Sequence, residues 1–326
     1  MSAMPTAVFF GTPQFSVPAL RALVEIARVP LVVSQPDRSV GRGRAVQPTP
    51  VKLAAQDLGI PVVQPEKLRG EEPLATLHRT GADFFFTAAY GKIVPESILA
   101  VPPKGCLNLH ASLLPAYRGS APIQWAVING EKVTGFTLML MDRRMDTGPM
   151  LETMRIEIHP GETAGELSAR MSALAAQFIK AAVPRYLRGE LAPVPQDDGR
   201  ATYAPMLKKE DGVVDWRKPA SAVVAHILGM NPWPMASATA CGERLRVLLA
   251  ELAAQVPASI ASSPPGAVCC DGDSLVVRCG EGAVRITKIQ AEGKKALETS
   301  CFLCGHAVPE SFDTPPAPSG GPARPG

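Results

Sequence analysis

An amide and an imidazole stand two residues apart in Asn108-Leu109-His110, and a carboxylate follows at Asp146. Because alternate side chains of a strand point to the same face, Asn108 and His110 are predicted to project together while Leu107 and Leu109 face the core. An amide and an imidazole can polarise a carbonyl group and move protons, and a nearby carboxylate can set the histidine tautomer or take up a proton. The set suits acyl transfer without a covalent intermediate.

Each part of this set also has an ordinary structural interpretation. An isolated Asn-x-His pair is more often a strand-end histidine bonded to backbone, and an aspartate before Thr147-Gly148 is equally typical of a turn. The flanking sequence favours the catalytic interpretation, because further motifs surround both positions.

Those motifs are Phe10-Gly11-Thr12-Pro13, Gln35-Pro36-Asp37-Arg38, Ala89-Tyr90-Gly91, Asn108 to Pro115 with Arg118-Gly119, Ala121-Pro122-Ile123-Gln124, Met145 to Pro149, Asn231-Pro232-Trp233-Pro234 and Gly293-Lys294-Lys295-Ala296. In their order and spacing they resemble the methionyl-tRNA formyltransferase family. The resemblance spans nearly the whole chain. The Asn-His-Asp set is shared with other enzymes that use formyltetrahydrofolate, so it predicts the chemistry better than the acceptor.

The resemblance implies formyl transfer from 10-formyltetrahydrofolate to the α-amine of methionine on initiator tRNA, for translation initiation. Attack of an amine on a formamide carbon builds negative charge on oxygen, while the amine loses a proton and folate N10 gains one. We assign Asn108 and His110 to that oxygen, with His110 also moving protons. Asp146 would orient His110 or accept the amine proton through water.

The same resemblance implies a folate site. The expected folate-binding residues are Ser112, Leu113, Leu114 and Pro115, with Tyr90 and Gly91 lining the pterin pocket. A core tyrosine is nearly as consistent with Tyr90. Arg118 follows the run and could meet an acidic group or a phosphate, or it could be a solvated loop arginine.

Basic residues predict where tRNA binds. Residues 38–52 contain four basic and no acidic residues, and they match the tRNA-contacting insertion of the family; a solvated basic loop is the alternative. Residues 208–326 contain twelve Lys plus Arg and twelve Asp plus Glu, so RNA binding there must use local clusters. The expected tRNA-binding residues are Arg38, Arg42, Arg44, Lys208, Lys209, Lys294 and Lys295.

Trp233, between two prolines, is most simply a core anchor in a rigid turn, with stacking on RNA as the alternative. Ala116, Arg143-Arg144 and Leu228 depart from the family pattern. None of these departures touches the Asn-His-Asp set, so they bear only on the details of tRNA contact.

The composition fits a globular protein of two domains. The chain has 326 residues, of which 46% are hydrophobic, and its net charge of +3 is too small to identify a nucleic-acid-binding protein. No apolar run approaches the roughly 20 residues that span a bilayer. Because a strand follows Pro5 without a basic, apolar leader, we expect a cytoplasmic protein. We also expect a monomer.

The seven cysteines are an odd number in irregular positions, which suits a reducing compartment. Cys301 and Cys304 form a C-x-x-C pair that could ligate zinc. A structural zinc site needs a second, regularly spaced ligand pair, and the chain offers no clean one. We therefore expect no metal.

Short apolar runs alternate with helix-compatible stretches in the first half of the chain. Strands are predicted at 7–10, 31–34, 84–88, 107–110 and 136–141, and helices at 15–26 and 51–58. This alternation predicts an α/β fold with a mostly parallel, Rossmann-like formyltransferase sheet. The opening lacks G-x-G-x-x-G, so a dinucleotide site is not expected.

A second domain follows. Thr163 and Glu166 predict a capping box for a helix that ends the first domain, with Pro184 kinking or stopping it. A helix at 220–230 and short glycine-bounded strands predict a smaller C-terminal β-barrel, which the resemblance implies is OB-like. The expected division is 1–190 for the catalytic domain, 191–207 for a linker, 208–311 for the OB-like tRNA-binding domain and 312–326 for a disordered tail.

Two other functions are possible at this point. A folate-dependent formyltransferase acting on a small amine, such as a nucleotide sugar or glycinamide ribonucleotide, would leave the second domain or the basic loop unexplained. A non-catalytic RNA-binding adaptor would leave Asn108, His110 and Asp146 unexplained. A transfer assay compared with RNA binding alone separates these alternatives.

Overall fold

The computed structural model describes residues 4–40 and 45–315. The strands are β1 (Thr6–Gly11), β2 (Arg28–Val33), β3 (Arg38–Val40), β4 (Ala45–Gln47), β5 (Val62–Val63), β6 (Phe84–Ala88), β7 (Cys106–His110), β8 (Val133–Leu140), β9 (Met150–Glu157), β10 (Ala236–Ala240), β11 (Glu243–Leu252), β12 (Val268–Asp271), β13 (Ser274–Arg278), β14 (Ala283–Ala291) and β15 (Leu297–Glu298). The helices are α1 (Val17–Ile26), α2 (Pro50–Asp57), α3 (Glu71–His78), α4 (Glu96–Leu99), α5 (Pro122–Ile128), α6 (Ala164–Leu187), α7 (Ala220–Met230) and α8 (Thr299–Leu303).

The chain forms two compact units. The first is built from residues up to 122, from 134–156 and from 168–204, and the second from 123–133, from 157–167 and from 205 onward. Residues 191–204, which we expected to be a linker, group with the first unit through their contacts.

A seven-stranded sheet with the order β5-β2-β1-β6-β7-β8-β9 forms the centre of the first unit. The strands from β5 to β7 pair in parallel, and β8 pairs antiparallel with β7. The predicted mostly parallel α/β fold is therefore confirmed. Strand β9 was not among the predicted strands.

The middle strands are mostly apolar because both of their faces are covered, and the polar residues Thr87, Asn108 and His110 lie toward their carboxyl ends. Every residue of β6 and β7 is buried. Phe9 of β1 stacks on Phe86 of β6 with ring centroids 6.2 Å apart. Gly11, which ends β1, pairs with Ala88, which ends β6, so the carboxyl ends of these strands meet at one edge of the sheet. Ligands of open α/β sheets bind outside this edge.

Helix α6 begins with the predicted capping box. The backbone N–H of Thr163 donates to Oε2 of Glu166 at 2.9 Å, and the backbone N–H of Glu166 donates to Oγ1 of Thr163 at 3.2 Å. The prediction that Pro184 could stop this helix is wrong, because α6 continues to Leu187. Val183, which is fully buried, keeps this part of the helix packed although Pro184 cannot donate a hydrogen bond.

The second unit contains an antiparallel sheet. Its order is β10-β11-β14-β13-β12, and β15 also pairs with β14. The predicted helix at 220–230 is confirmed as α7. The predicted smaller C-terminal β domain is confirmed as an antiparallel β unit, and within the described part of the chain its pairings do not close into a barrel.

Part of the expected tail is ordered. Phe312 is buried and stacks on Trp216 with ring centroids 5.4 Å apart, and its backbone N–H donates to the Gly266 carbonyl at 2.8 Å. An apolar side chain at 312 therefore belongs to the core of the second unit. Residues 316–326 lie outside the described residues.

Candidate active site

Strand β7 ends in Asn108 and His110, which are 9% and 6% exposed. Asn108 is aligned with Thr87 of β6 on one side and with Met139 of β8 on the other, so neighbouring strands fix its position. The intervening Leu109 is 3% exposed in the core. The alternation predicted from the sequence therefore places the amide and the imidazole on one face at the end of the strand.

Both ring nitrogens of His110 face acceptors. Nε2 lies 2.9 Å from the carbonyl oxygen of Tyr117, and because a carbonyl can only accept, Nε2 is the donor. Nδ1 lies 3.6 Å from Oδ1 of Asp146, which is too long for a direct hydrogen bond. Tyr117 therefore sets the orientation of the ring, and Nδ1 is the nitrogen that faces the carboxylate.

Asp146 lies in a turn with φ +55°, a left-handed conformation that aspartate tolerates better than most residues. Its Oδ2 accepts a hydrogen bond of 2.9 Å from the backbone N–H of Gly119. Gly119 has φ +122°, and a Cβ there would lie 2.7 Å from the Ala204 carbonyl, so only glycine fits. One carboxylate oxygen is thus held by backbone, and the other faces His110.

The carboxamide of Asn108 is buried beside these groups. Among the residues that the structure describes, none forms a hydrogen bond with this side chain. Asn108 is not among the buried polar side chains that lack a partner, so its amide keeps some exposure and its donors are available to a bound group. The sequence prediction brought together Asn108, His110 and Asp146, and the structure places all three at this edge.

The run after His110 is held by Thr137 of β8. The Thr137 hydroxyl donates to the carbonyl of Ser112 at 2.8 Å and accepts from the backbone N–H of Leu114 at 3.0 Å. The Ser112 hydroxyl donates to the Ala116 carbonyl at 2.6 Å. Side-chain bonds of Ser112 and Thr137 therefore shape the loop through Leu113, Leu114 and Pro115.

Tyr90 and Gly91 occupy different environments. The Tyr90 ring is 1% exposed and packs edge-on against Phe10, and burial raises the pKa of its hydroxyl to about 12. The ring is therefore in the core, as the alternative interpretation had it, and it does not line an open pocket. Gly91 has φ +79°, and a Cβ there would lie 2.5 Å from Nε2 of Gln35.

Arg118 has partners that the sequence did not identify. It is 3% exposed, and its guanidinium donates to Oε1 of Gln196 at 3.0 and 2.8 Å and to Oδ1 of Asp198 at 2.7 Å. The hydrogen bond from Arg118 lowers the pKa of the Asp198 carboxyl below its ordinary value. Of the three interpretations of Arg118, the structure shows contact with an acidic group, and the buried side chain is not a solvated loop arginine. The polar Gln196 to Gly199 run was the available signal, but we interpreted it as a linker.

Comparison with known proteins agrees with this geometry. The formyl transferase family model matches residues 6–183, and the model of the formyl transferase C-terminal domain matches residues 206–307. A methionyl-tRNA formyltransferase of Sorangium cellulosum is 47% identical over 303 residues, which cover 93% of this chain and 97% of the relative. The chain belongs to the methionyl-tRNA formyltransferase family. A second relative with this name, from Caldanaerobacter subterraneus, is 44% identical over 305 residues, covering 93% of this chain and 97% of its own.

Solved structures share the fold of this formyltransferase family at lower identity. An N-formyltransferase from Helicobacter canadensis, in complex with folinic acid and dTDP-3-aminofucose, has a TM-score of 0.65 at 16% identity, covering 88% of this chain and all of its own. HypX from Aquifex aeolicus, in complex with tetrahydrofolic acid, has a TM-score of 0.60 at 15% identity. The match covers 92% of this chain and 47% of the HypX chain.

In this family member, Arg38, a predicted tRNA-binding residue of the first unit, begins β3, which forms a hairpin with β4. Arg42 and Arg44 fall outside the described residues. Arg38 is exposed, and its guanidinium donates to Oε1 of Gln35 at 2.6 Å. Gln35 in turn donates to the Tyr90 carbonyl at 2.8 Å, so the base of the hairpin is connected to the end of β6.

The predicted tRNA-binding residues of the second unit lie on its surface. Lys208 and Lys209 are exposed at the start of a short 3-10 helix, and Lys294 and Lys295 are exposed in the turn between β14 and β15. Trp233 is 52% exposed, so the prediction of a core anchor is wrong. The buried tryptophan of this unit is Trp216, and Trp233 presents its ring to solvent instead.

In the described residues, no group of three or more His, Cys, Asp or Glu side chains is arranged to hold a metal ion. Cys301 and Cys304 are exposed free thiols. In the same part of the chain, no helix combines the length and the hydropathy that crossing a bilayer requires.

Proposed function

We propose that this protein transfers the formyl group of 10-formyltetrahydrofolate to the α-amine of methionyl initiator tRNA, for translation initiation in the cytoplasm. The observation that carries the proposal is the buried cluster of Asn108, His110 and Asp146 at the carboxyl edge of the sheet. Relatives named methionyl-tRNA formyltransferase match nearly the whole chain at 47% and 44% identity, which supports the acceptor.

The first half of the reaction builds charge on the formyl oxygen. The amine nitrogen attacks the formyl carbon, and the oxygen becomes negative before the bond from carbon to folate N10 breaks. The carboxamide of Asn108 donates to this oxygen. His110 adds a second donor at Nδ1 when that nitrogen is protonated, because Nε2 is held by Tyr117. Fixed donors in a buried site stabilise such charge far better than water does.

The second half moves two protons. The attacking amine must lose one proton, and N10 must gain one as tetrahydrofolate leaves. Asp146 can accept the amine proton through water, since its Oδ1 faces Nδ1 of His110 at 3.6 Å and its Oδ2 is held by Gly119. His110 can pass a proton toward N10 through Nδ1, the nitrogen that faces the carboxylate of Asp146. No net proton is taken from solvent.

Folate is proposed to bind along the run from Ser112 to Pro115, near Gly91. The loop held by Thr137 offers backbone groups and the side chains of Leu113 and Leu114. Solved structures with this fold are described as complexes with tetrahydrofolic acid and folinic acid, which supports a folate co-substrate. The buried Tyr90 ring contributes only by packing under this site.

Charged tRNA is proposed to contact Arg38, Arg42 and Arg44. In the second unit, the proposed contacts are Lys208, Lys209, Lys294 and Lys295, which makes that unit a tRNA-binding domain beside a catalytic one. Exposed basic side chains are suited to phosphates, which they contact by charge. We propose that the protein acts as a monomer, with one chain supplying both the catalytic and the basic residues.

A transfer assay tests this function. Purified protein is given 10-formyltetrahydrofolate with methionyl initiator tRNA, glycinamide ribonucleotide or a dTDP-linked amino sugar, and the formylated product is measured. We expect transfer to the tRNA at a rate far above that to either small amine. Faster transfer to a small amine would replace the proposed acceptor, and tRNA binding without transfer to any of them would indicate an RNA-binding adaptor.

A further inference from the structure

The segment 191–204 supplies a side chain that holds the turn carrying Asp146. Nε2 of Gln196 donates to the carbonyl oxygens of Asp146 and Gly148, each at 2.8 Å. Oε1 of Gln196 accepts both bonds from Arg118. The carboxamide thus uses its two donors and both acceptor positions. Because carbonyls only accept and a guanidinium only donates, the nitrogen and oxygen of this amide cannot be exchanged.

Arg118 is itself immobilised. Its guanidinium is buried, and its Nη2 also donates to Oδ1 of Asp198. Its backbone N–H donates to the Thr202 carbonyl at 2.8 Å, and its carbonyl accepts from the Ala204 N–H at 2.7 Å. A buried cation with these partners cannot move without losing several hydrogen bonds, so it fixes one end of the Gln196 amide.

The other end of that amide fixes the backbone around Asp146. The two carbonyls that Gln196 binds lie on either side of Thr147 in the turn. A Cβ at Gly148 would lie 1.9 Å from the Leu140 carbonyl, so the turn packs tightly against β8. Asp146 has a left-handed backbone there, and its side-chain direction follows from it.

We propose that Gln196, held by Arg118, is a positioning residue for Asp146 in formyl transfer. This inference rests on the proposed function, in which Asp146 serves His110 and the attacking amine. Gln196 touches neither reacting group in this proposal; it acts by keeping Oδ1 of Asp146 in line with Nδ1 of His110. Misplacement of a reacting group by about 1 Å lowers a rate by about 10².

Two substitutions remove the donors of Gln196. Gln196→Met keeps the length and loses every hydrogen bond. Gln196→Glu keeps an acceptor for Arg118, which protects the fold, and turns an oxygen toward the carbonyls of Asp146 and Gly148. The matched control is Gln177→Glu, the same chemical change at an exposed position of α6. Folding of each variant is checked by thermal unfolding. If Gln196→Met does not fold, the rate measurements are made with Gln196→Glu alone.

The decisive measurement is a double-mutant cycle with Asp146→Asn in the full-length protein. The rate constant of formyl transfer is measured at saturating 10-formyltetrahydrofolate and methionyl initiator tRNA, together with KM for the tRNA and affinity for folate. We expect each Gln196 variant to lose about 10- to 100-fold in rate with KM for the tRNA unchanged. In the double mutant with Asp146→Asn, the Gln196 substitution should cause no further loss of rate.

The outcomes separate the two proposals. Suppose that Asp146→Asn lowers the transfer rate. If the Gln196 variants transfer as fast as Gln177→Glu, the positioning role is overturned and the proposed function stands. The same conclusion follows if the rate losses of a Gln196 variant and of Asp146→Asn multiply in the double mutant. If Asp146→Asn transfers formyl at the parental rate, the role of Asp146 in the proposed function fails, and the positioning role falls with it.

Discussion

The catalytic cluster and the basic side chains proposed to contact tRNA are held in opposite ways. Asn108 and His110 are almost fully buried, and Asp146 is fixed by Gly119 and by Gln196. In contrast, Lys208, Lys209, Lys294 and Lys295 are all exposed. The protein thus fixes the groups that would touch the reacting carbon and leaves free those that would touch phosphates.

The physical demands of the two tasks explain the difference. Charge that develops on one formyl oxygen is stabilised only by donors already in place, so their geometry limits the rate. Phosphate contacts depend mainly on charge and on released counterions, so a flexible lysine serves as well as a rigid one. Substitutions in the cluster should therefore lower turnover, and substitutions of basic residues should weaken binding.

A large loss of activity is expected from Asn108→Ala. Loss of one donor to the formyl oxygen should lower the rate of transfer by about 10² to 10³. The fold should survive, because no described residue depends on this carboxamide. Single-turnover formylation at saturating tRNA, with circular dichroism of the same preparation, checks this; a folded variant of parental rate would remove Asn108 from the mechanism.

Thr137→Val tests the support of the folate run. The substitution keeps the shape and leaves the Leu114 N–H and the Ser112 carbonyl without their partner, which should lower the free energy of unfolding by about 1–3 kcal/mol. Folate affinity should fall as well. Urea unfolding and folate titration measure both changes. Thr153→Val, at an exposed position of β9, is the control, and an equal change in both variants would show that the hydroxyl of Thr137 is unimportant.

Arg42→Ala should weaken use of tRNA and leave folate binding unchanged. Loss of one phosphate contact should reduce the slope of log affinity against log salt by about 1. Binding of tRNA is measured across a salt series, with Gln47→Ala, a substitution of an uncharged and exposed residue of β4, as the control. Equal loss of folate affinity would mean that Arg42 belongs to the folate site.

The smallest effect is expected from Asp198→Asn. Hydrogen bonding from Arg118 lowers the pKa of Asp198, so its carboxylate stabilises the folded protein above its unfolded pKa, and this is lost as pH falls through the folded value. Near neutral pH the variant should have a slightly lower Tm than the parent protein. The two Tm values should converge at a pH well below 3.8, the ordinary pKa of an aspartate side chain. A difference in Tm that persists in acid would contradict this.

Much of the fold could be predicted from local patterns. The capping box of Thr163 and Glu166 depends on residues three apart, and the apolar runs of β1, β6 and β7 depend only on their own composition. Asn108 and His110 were predictable for the same reason, since strand alternation places both on one face. That Asp146 lies close to His110 could be predicted only from the family resemblance, because the spacing between the two residues in the sequence does not indicate it.

The remaining features depend on contacts between distant parts of the chain. Gln196 meets Asp146 across 50 residues, and Arg118 meets Asp198 across 80, so a proline-rich stretch looked like a linker. Tyr90 and Trp233 show the same limit, because an aromatic residue beside glycine or proline has no local signal for burial. The ring of Tyr90 is in the core and that of Trp233 is exposed.

The most direct test of the central claim compares His110→Ala with Lys294→Ala in one experiment. Each variant is mixed with methionyl initiator tRNA and 10-formyltetrahydrofolate at concentrations that saturate binding, and the first-turnover rate of formyl transfer is measured. We expect His110→Ala to be slower by about 10² to 10⁴ and Lys294→Ala to keep the parental rate once binding is saturated. A parental rate for a folded His110→Ala protein would contradict the account.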